Sequence, residues 1–265
     1  MAALALWRRP SCSQREAADV VHEESQDDTS STSPTLTCLG NYQGHPAVFE
    51  VHRALAPDAC DRARDAVNDA FDNGRTTDRG VSLPTQDVMV SSLPPRCQDE
   101  IRDALERTAR RASQELPNCT LEFSMSRAFV IVYDAGLKGQ RGLKKHTDGR
   151  KEGATLLLLI SKPRRDFEGG GTRFFPSVLE ASFDAKPGLG STIVFPSDTL
   201  QHEGLPIKRG RRLLVCVFAT KKKIGAAAEA SSDATETRPA EGSALTKIAK
   251  HDEQVLAQEC ACVVS

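Results

Sequence analysis

Between residues 128 and 218 the chain repeats one pattern, an apolar run too short for a helix and closed by glycine, proline or charge. The runs are AFVIVY (128–133), ATLLLLI (154–160), the Gly-punctuated PGLGSTIVFP (187–196) and LLVCVF (213–218). Short apolar runs bounded by turn formers read as buried strands. In FEGGGTRFF the glycines Gly169, Gly170 and Gly171 suit a tight turn or a close backbone approach before another strand. HEGLPIKRGRR predicts a turn through Pro206 and Gly210. The segment therefore predicts short strands joined by turns.

Chemistry-bearing residues lie between these strands. His146, Thr147 and Asp148 precede ATLLLLI, and His202 follows the 187–196 strand. Two imidazoles and a carboxylate are the set that holds Fe(II) on one face and leaves the opposite positions open. On an extended strand residues two apart point the same way, so His146 and Asp148 reach one metal while Thr147 faces elsewhere. An H-x-D triplet alone is a weak signal, because most are a surface histidine beside a solvated aspartate. The ordered strand pattern around this one agrees with the metal reading. His22, His45, His52 and His251 have no partner at ligand spacing and read as surface or loop histidines.

Five ordered motifs now stand together: Tyr133; His146 and Asp148; Gly170-Gly171-Thr172-Arg173-Phe174; the strand from Pro187 to Phe195; and His202 through Arg212. In this order they resemble the 2-oxoglutarate- and Fe(II)-dependent dioxygenases, nearest the prolyl 4-hydroxylase-like branch. The resemblance covers Tyr133 to Phe218 and, more weakly, residues 56–131. It implies an α+β, mainly β fold, a double-stranded β-helix (jelly-roll) barrel buttressed by N-terminal helices. It also implies that His146, Asp148 and His202 ligate Fe(II), that 2-oxoglutarate is the cosubstrate, and that ascorbate supports turnover. The cosubstrate's far carboxylate would meet a basic residue on the strand after His202. Arg212 fits that role, since a guanidinium forks onto a carboxylate, and Arg211 is predicted to point outward; a slip of one residue would exchange them. Tyr133 aligns with a tyrosine that helps hold the cosubstrate in relatives, against the alternative of a core tyrosine satisfied by backbone. The segment DAGLKGQRGLKK (134–145) is longer and more basic than in collagen-type relatives. Lys138, Arg141, Lys144 and Lys145 there suit an acidic substrate or a solvated charge run.

Outside the motif core, Pro57 opens a helix with Ala59, Ala63, Ala66, Val67, Ala70 and Phe71 on one face. A second begins after Pro94 and Pro95, with Ile101, Leu105, Thr108 and Ala112 at helical spacing. Short strands are predicted at 47–51 and at TQDV (85–88). The expected organisation is a disordered segment at 1–40, an oxygenase domain at 41–223 with its motif core at 129–220, and a flexible tail at 224–265. Early acidic residues and few arginines argue against a transit peptide at the start.

The 265 residues, 39% hydrophobic with formal net charge −1, support one sizeable core and no general affinity for nucleic acid. The eight cysteines lack framework spacing and read as reduced thiols. The Asn118-Cys119-Thr120 sequon matters only in a secreted chain, and no apolar segment is long enough to span a membrane. A final amphipathic stretch places Leu245, Ile248, Val255 and Leu256 near one helical face. After it, Cys262-Val263-Val264-Ser265 has the form of a C-a-a-X box. The expectation is farnesylation of Cys262, with Cys260 placed for palmitoylation as the second signal a stable anchor needs. The expected location is cytoplasmic, with attachment to the cytosolic face of a membrane if the box is used.

The functional expectation is hydroxylation of a protein or peptide side chain, proline first, with O2 consumed and succinate and CO2 released. Alternatives are a lysyl, nucleic-acid or small-molecule oxygenase and an inactive lipid-anchored adaptor on the same fold. A nucleic-acid partner is not expected, because neither an Arg-rich closing strand of the demethylase kind nor a base-reading lid is evident.

Overall fold

The computed structural model describes residues 34–42, 45–78, 85–116, 119–137, 139–149, 153–176 and 181–223. Residues 1–33 and the whole tail lie outside that set, so the expectations for Leu245, Ile248, Val255, Leu256, Cys260 and Cys262 do too. No described helix is long and apolar enough to cross a membrane.

In chain order the elements are β1 (Leu36–Tyr42), β2 (His45–Val51), α1 (Pro57–Asp72), β3 (Thr77–Asp78), β4 (Gln86–Met89), α2 (Pro95–Ser113), β5 (Cys119–Phe123), β6 (Phe129–Asp134), β7 (Leu143–His146), β8 (Gly153–Leu159), β9 (Phe167–Gly169), β10 (Thr172–Phe175), β11 (Phe183–Ala185), β12 (Thr192–Pro196), β13 (Gln201–Gly204) and β14 (Ile207–Lys223). The larger sheet runs β1-β2-β12-β8-β14-β6-β4-β3, with β5 and β9 also on β14; the smaller runs β11-β10-β13-β7. The ladders between these strands are antiparallel. Two facing antiparallel sheets flanked by two helices are the jelly-roll architecture expected.

Why the strands read as unbroken apolar runs follows from what covers them. In β6, Val130 and Val132 enter one core with α1 and α2, whereas Phe129, Ile131 and Tyr133 enter a second core against the small sheet. β14 divides likewise, with Leu213, Val215 and Val217 toward the helices and Leu214 and Cys216 toward the small sheet. Alternation is still present, but both faces are dry, so polarity does not reveal it. The helices obey their predicted stripes: Ala59, Ala63, Val67, Ala70 and Phe71 of α1, and Ile101, Leu105, Thr108 and Ala112 of α2, are buried. Each begins with proline in its first turn, where a missing N–H costs nothing.

Two boundaries are corrected. Residues 36–40, expected within a disordered segment, are instead part of β1, which pairs with β2 from Leu36. Gly210 also does not end a turn before the last strand. β14 begins at Ile207 and runs through Gly210, pairing with β9 at 207–210 and with β6 from Arg211 onward. Gly210 makes that change of partner feasible: its φ is +74°, and a Cβ there would lie 1.9 Å from the Asp166 carbonyl oxygen. Gly210→Ala is expected to destabilise the fold by roughly 2 to 4 kcal/mol, measured by urea unfolding. Wild-type stability would contradict this reading of the bend.

Candidate metal centre and cosubstrate pocket

β7 and β13 are neighbours in the small sheet, and their register sets His146 directly opposite His202. The two rings stand 4.4 Å apart between centroids. Asp148 was expected on the same strand as His146, but β7 stops at His146. Asp148 is held in place from the large sheet instead: its N–H donates to the Ser197 carbonyl, just past β12, at 2.8 Å.

The outer atom of each candidate ligand is already engaged. The Leu200 carbonyl lies 3.2 Å from His202 Nδ1, and the Lys144 carbonyl lies 2.7 Å from His146 Nδ1. A carbonyl only accepts, so each Nδ1 carries the proton and each Nε2 keeps its lone pair. Asp148 Oδ2 accepts from the Thr155 hydroxyl at 2.5 Å. What remains is Asp148 Oδ1, 3.5 Å from His146 Nε2 and 3.8 Å from His202 Nε2. One ligand atom from each residue lies within 4.8 Å of the others. Three converging donors with their outer atoms tied off fit a divalent metal of the Fe(II) type.

The electrostatics agree. Burial raises the Asp148 carboxyl, but His146, His202 and the Thr155 hydroxyl outweigh it, so the group is held below the usual carboxylate range. Burial opposes protonation of His146, yet Asp148 and the Lys144 carbonyl prevail and its pKa rises. At His202 burial wins, and its pKa falls. In the metal-free protein His146 therefore takes up a proton first as pH drops, and an incoming metal must displace it. Mn(II) affinity is expected to fall by about tenfold per pH unit below the His146 pKa, and more steeply once His202 titrates. Calorimetric titration between about pH 8 and about pH 5.5 checks this; a flat profile would contradict it.

The three residues open on a cavity of about 210 Å³ lined also by Phe129, Ile131, Tyr133, Leu157, Thr172 and Phe218. Arg212 lies behind its Tyr133 and Thr172 wall. Arg212 is 1% exposed, and its Nη1 donates to the Gly171 carbonyl at 2.8 Å. Its Nη2 makes a long 3.5 Å contact with the Thr172 hydroxyl, and the Tyr133 ring centroid is 5.6 Å away. Among the described residues no carboxylate pairs with it. Burial pulls its pKa down to about 10, which leaves it cationic at neutral pH. A buried cation without a counter-ion fits an incoming carboxylate. Arg211, one residue earlier on β14, faces the other way: Nε donates to Asp134 at 2.6 Å, Nη1 to Asp72 at 2.7 Å, and the guanidinium covers the Phe71 ring. It ties α1 to the sheet. Tyr133 is buried on the cavity side, and burial pushes its hydroxyl up to about 12, so it remains a hydrogen-bond donor.

The glycine run behaves as expected, since Gly169, Gly170 and Gly171 all have positive φ, and the turn brings the Gly171 carbonyl to Arg212. The basic stretch is not wholly loop. Lys144 and Lys145 sit on β7, an edge strand, exposed, with Lys145 Nζ over the Phe175 ring. Arg141 is exposed, and Lys138 lies outside the described residues. His52 sits apart from the site, 3.3 Å from Glu50. Sequence reasoning missed Thr155, whose only signal was that it is the one polar side chain in ATLLLLI.

With this geometry in hand, residues 129–220 match the 2OG-Fe(II) oxygenase superfamily. The matched segment is a 2OG-Fe(II) oxygenase domain. Among solved structures the oxygenase is similar to a prolyl hydroxylase from Trichoplax adhaerens in complex with a hypoxia inducible factor oxygen degradation domain peptide fragment (16% identity, TM-score 0.53, covering 66% of this chain and 83% of that one). It is also similar to a Pseudomonas putida prolyl-4-hydroxylase (19%, 0.52, 68% and 94%). A third is the non-heme alpha-ketoglutarate-dependent epimerase SnoN of nogalamycin biosynthesis (13%, 0.51, 76% and 91%). At these identities the likeness shows the fold. Comparison with curated protein sequences gives no match. By family and fold the oxygenase is an Fe(II)/2-oxoglutarate-dependent dioxygenase, prolyl 4-hydroxylase-like in architecture.

Proposed function

We propose that the oxygenase hydroxylates a protein or peptide side chain, proline first, using O2 and 2-oxoglutarate and releasing succinate and CO2. The observation that carries this is one cavity that holds a three-donor metal set, with a buried arginine, paired with no carboxylate among the described residues, directly behind its Tyr133 and Thr172 wall. That combination serves a divalent metal and a small dicarboxylate together. His146, Asp148 and His202 are assigned to Fe(II), and Arg212 to the far carboxylate of 2-oxoglutarate with help from the Tyr133 hydroxyl. Bound there, the metal and cosubstrate supply the oxygen activation that inserts one oxygen atom into a C–H bond. The protein's part is positioning and exclusion. Phe129, Ile131, Leu157 and Leu214 keep the cavity apolar, Arg212 fixes the cosubstrate's orientation, and the carbonyls of Lys144 and Leu200 keep both imidazoles in the binding tautomer.

Peptide and proline are read from two prolyl hydroxylases of similar fold, one of which is in complex with a peptide. The epimerase of the same fold favours a small molecule as the second reading. The test is incubation with Fe(II), 2-oxoglutarate and ascorbate and a peptide panel, including acidic sequences because Lys144, on the same strand as His146, is exposed. Mass spectrometry should find one oxygen atom gained on proline, absent with Asp148→Ala. Succinate release that no peptide stimulates, together with turnover of a small molecule, would replace the peptide reading.

A further inference from the structure

Thr155 is a hydroxyl in a strand that otherwise needs none. It is buried on β8, between Ala154 and Leu156, and β8 is paired on both sides: Thr155 lies opposite Phe195 of β12 and opposite Phe218 of β14. Asp148, by contrast, follows the end of an edge strand of the other sheet. The 2.5 Å bond from the Thr155 hydroxyl to Asp148 Oδ2 thus adds a side-chain tie to the one backbone bond, from Asp148 N–H to the Ser197 carbonyl, that holds this residue from the large sheet. A threonine χ1 is stiff, whereas the terminal torsion of an aspartate is broad and two-fold. Left alone, the carboxylate would present one oxygen or two to a metal; with Oδ2 held by Thr155, only Oδ1 faces the histidines.

We infer that Thr155 is a positioning residue that fixes Asp148 as a one-oxygen metal ligand and so keeps a further coordination position open. The inference rests on the metal reading above. The alternative role is structural, a hydroxyl that merely satisfies a buried carboxylate. Thr155→Val removes the hydroxyl at nearly constant shape and favours a strand, while Thr155→Ser restores it.

The experiment is Mn(II) binding to the intact protein by electron paramagnetic resonance, with thermal unfolding alongside. Thr155→Val is expected to weaken Mn(II) by about 10- to 100-fold, the range for partners that orient a metal ligand, and Thr155→Ser to bind within about 3-fold of wild type. If the valine variant does not fold, Thr155→Ala gives the same reading without the branched side chain. Wild-type affinity in the hydroxyl-free variant, with binding lost in His202→Ala, would overturn the positioning role alone. Wild-type affinity in His202→Ala as well would overturn the metal reading and this inference with it.

Discussion

His202→Ala is expected to abolish both metal binding and turnover, weakening Mn(II) by more than about 100-fold, beyond the loss typical of an outer partner. His202 contributes one of three converging donors, and its pKa is already depressed by burial, so it is the imidazole that meets a metal without losing a proton. The ring is also wedged against Phe195, at 4.6 Å between centroids, and Phe174, at 6.0 Å. Truncation therefore leaves a cavity, and a stability loss of roughly 1 to 3 kcal/mol should accompany the loss of metal. Asp148→Asn separates the two effects. It keeps the shape and the Oδ2 position but removes the charge, and it should lose metal with little change in unfolding. Calorimetry with Mn(II) and urea denaturation measure both, and retained affinity in both variants would contradict the ligand assignment.

Arg212→Ala should raise the KM for 2-oxoglutarate by about 30-fold or more, because truncating one partner of a buried, hydrogen-bonded charge pair costs about 2 to 5 kcal/mol. Arg211→Ala should leave that KM within about 3-fold and instead cost about 1 kcal/mol of stability. Its bonds to Asp134 and Asp72 are partly exposed and screened. The contrast has a second arm. In the unliganded protein Arg212 is a buried cation that donates to the Gly171 carbonyl and, at long range, to the Thr172 hydroxyl. Arg212→Leu should therefore unfold at the same temperature as wild type or higher while losing the cosubstrate. Exchange of the two kinetic effects would mean that Arg211 holds the carboxylate.

The sequence carried the helices and the interior strands because their signals are local. Proline in the first turn placed α1 and α2, and apolar runs of strand length placed β6, β8 and the centre of β14. Alternation along one strand was enough to separate Arg211 from Arg212. The remainder depended on tertiary partners. β7 reads as a charged loop because Lys144 and Lys145 lie on an edge strand exposed to water; edge lysines are a usual guard against strand pairing. Gly210 looks like a turn residue, and only the approach of Asp166 shows that it bends a continuous strand. Thr155 could not be singled out as the orienter of Asp148, since that bond joins two sheets whose facing is set by the whole fold.

The most direct test is succinate release from 2-oxoglutarate by the purified protein, with Fe(II) present or replaced by a chelator, for wild type beside His202→Ala. Succinate formed by the wild type only with Fe(II), and not by His202→Ala, is the expected result. Equal succinate from the two proteins, or release that survives the chelator, would contradict a metal centre built on His146, Asp148 and His202.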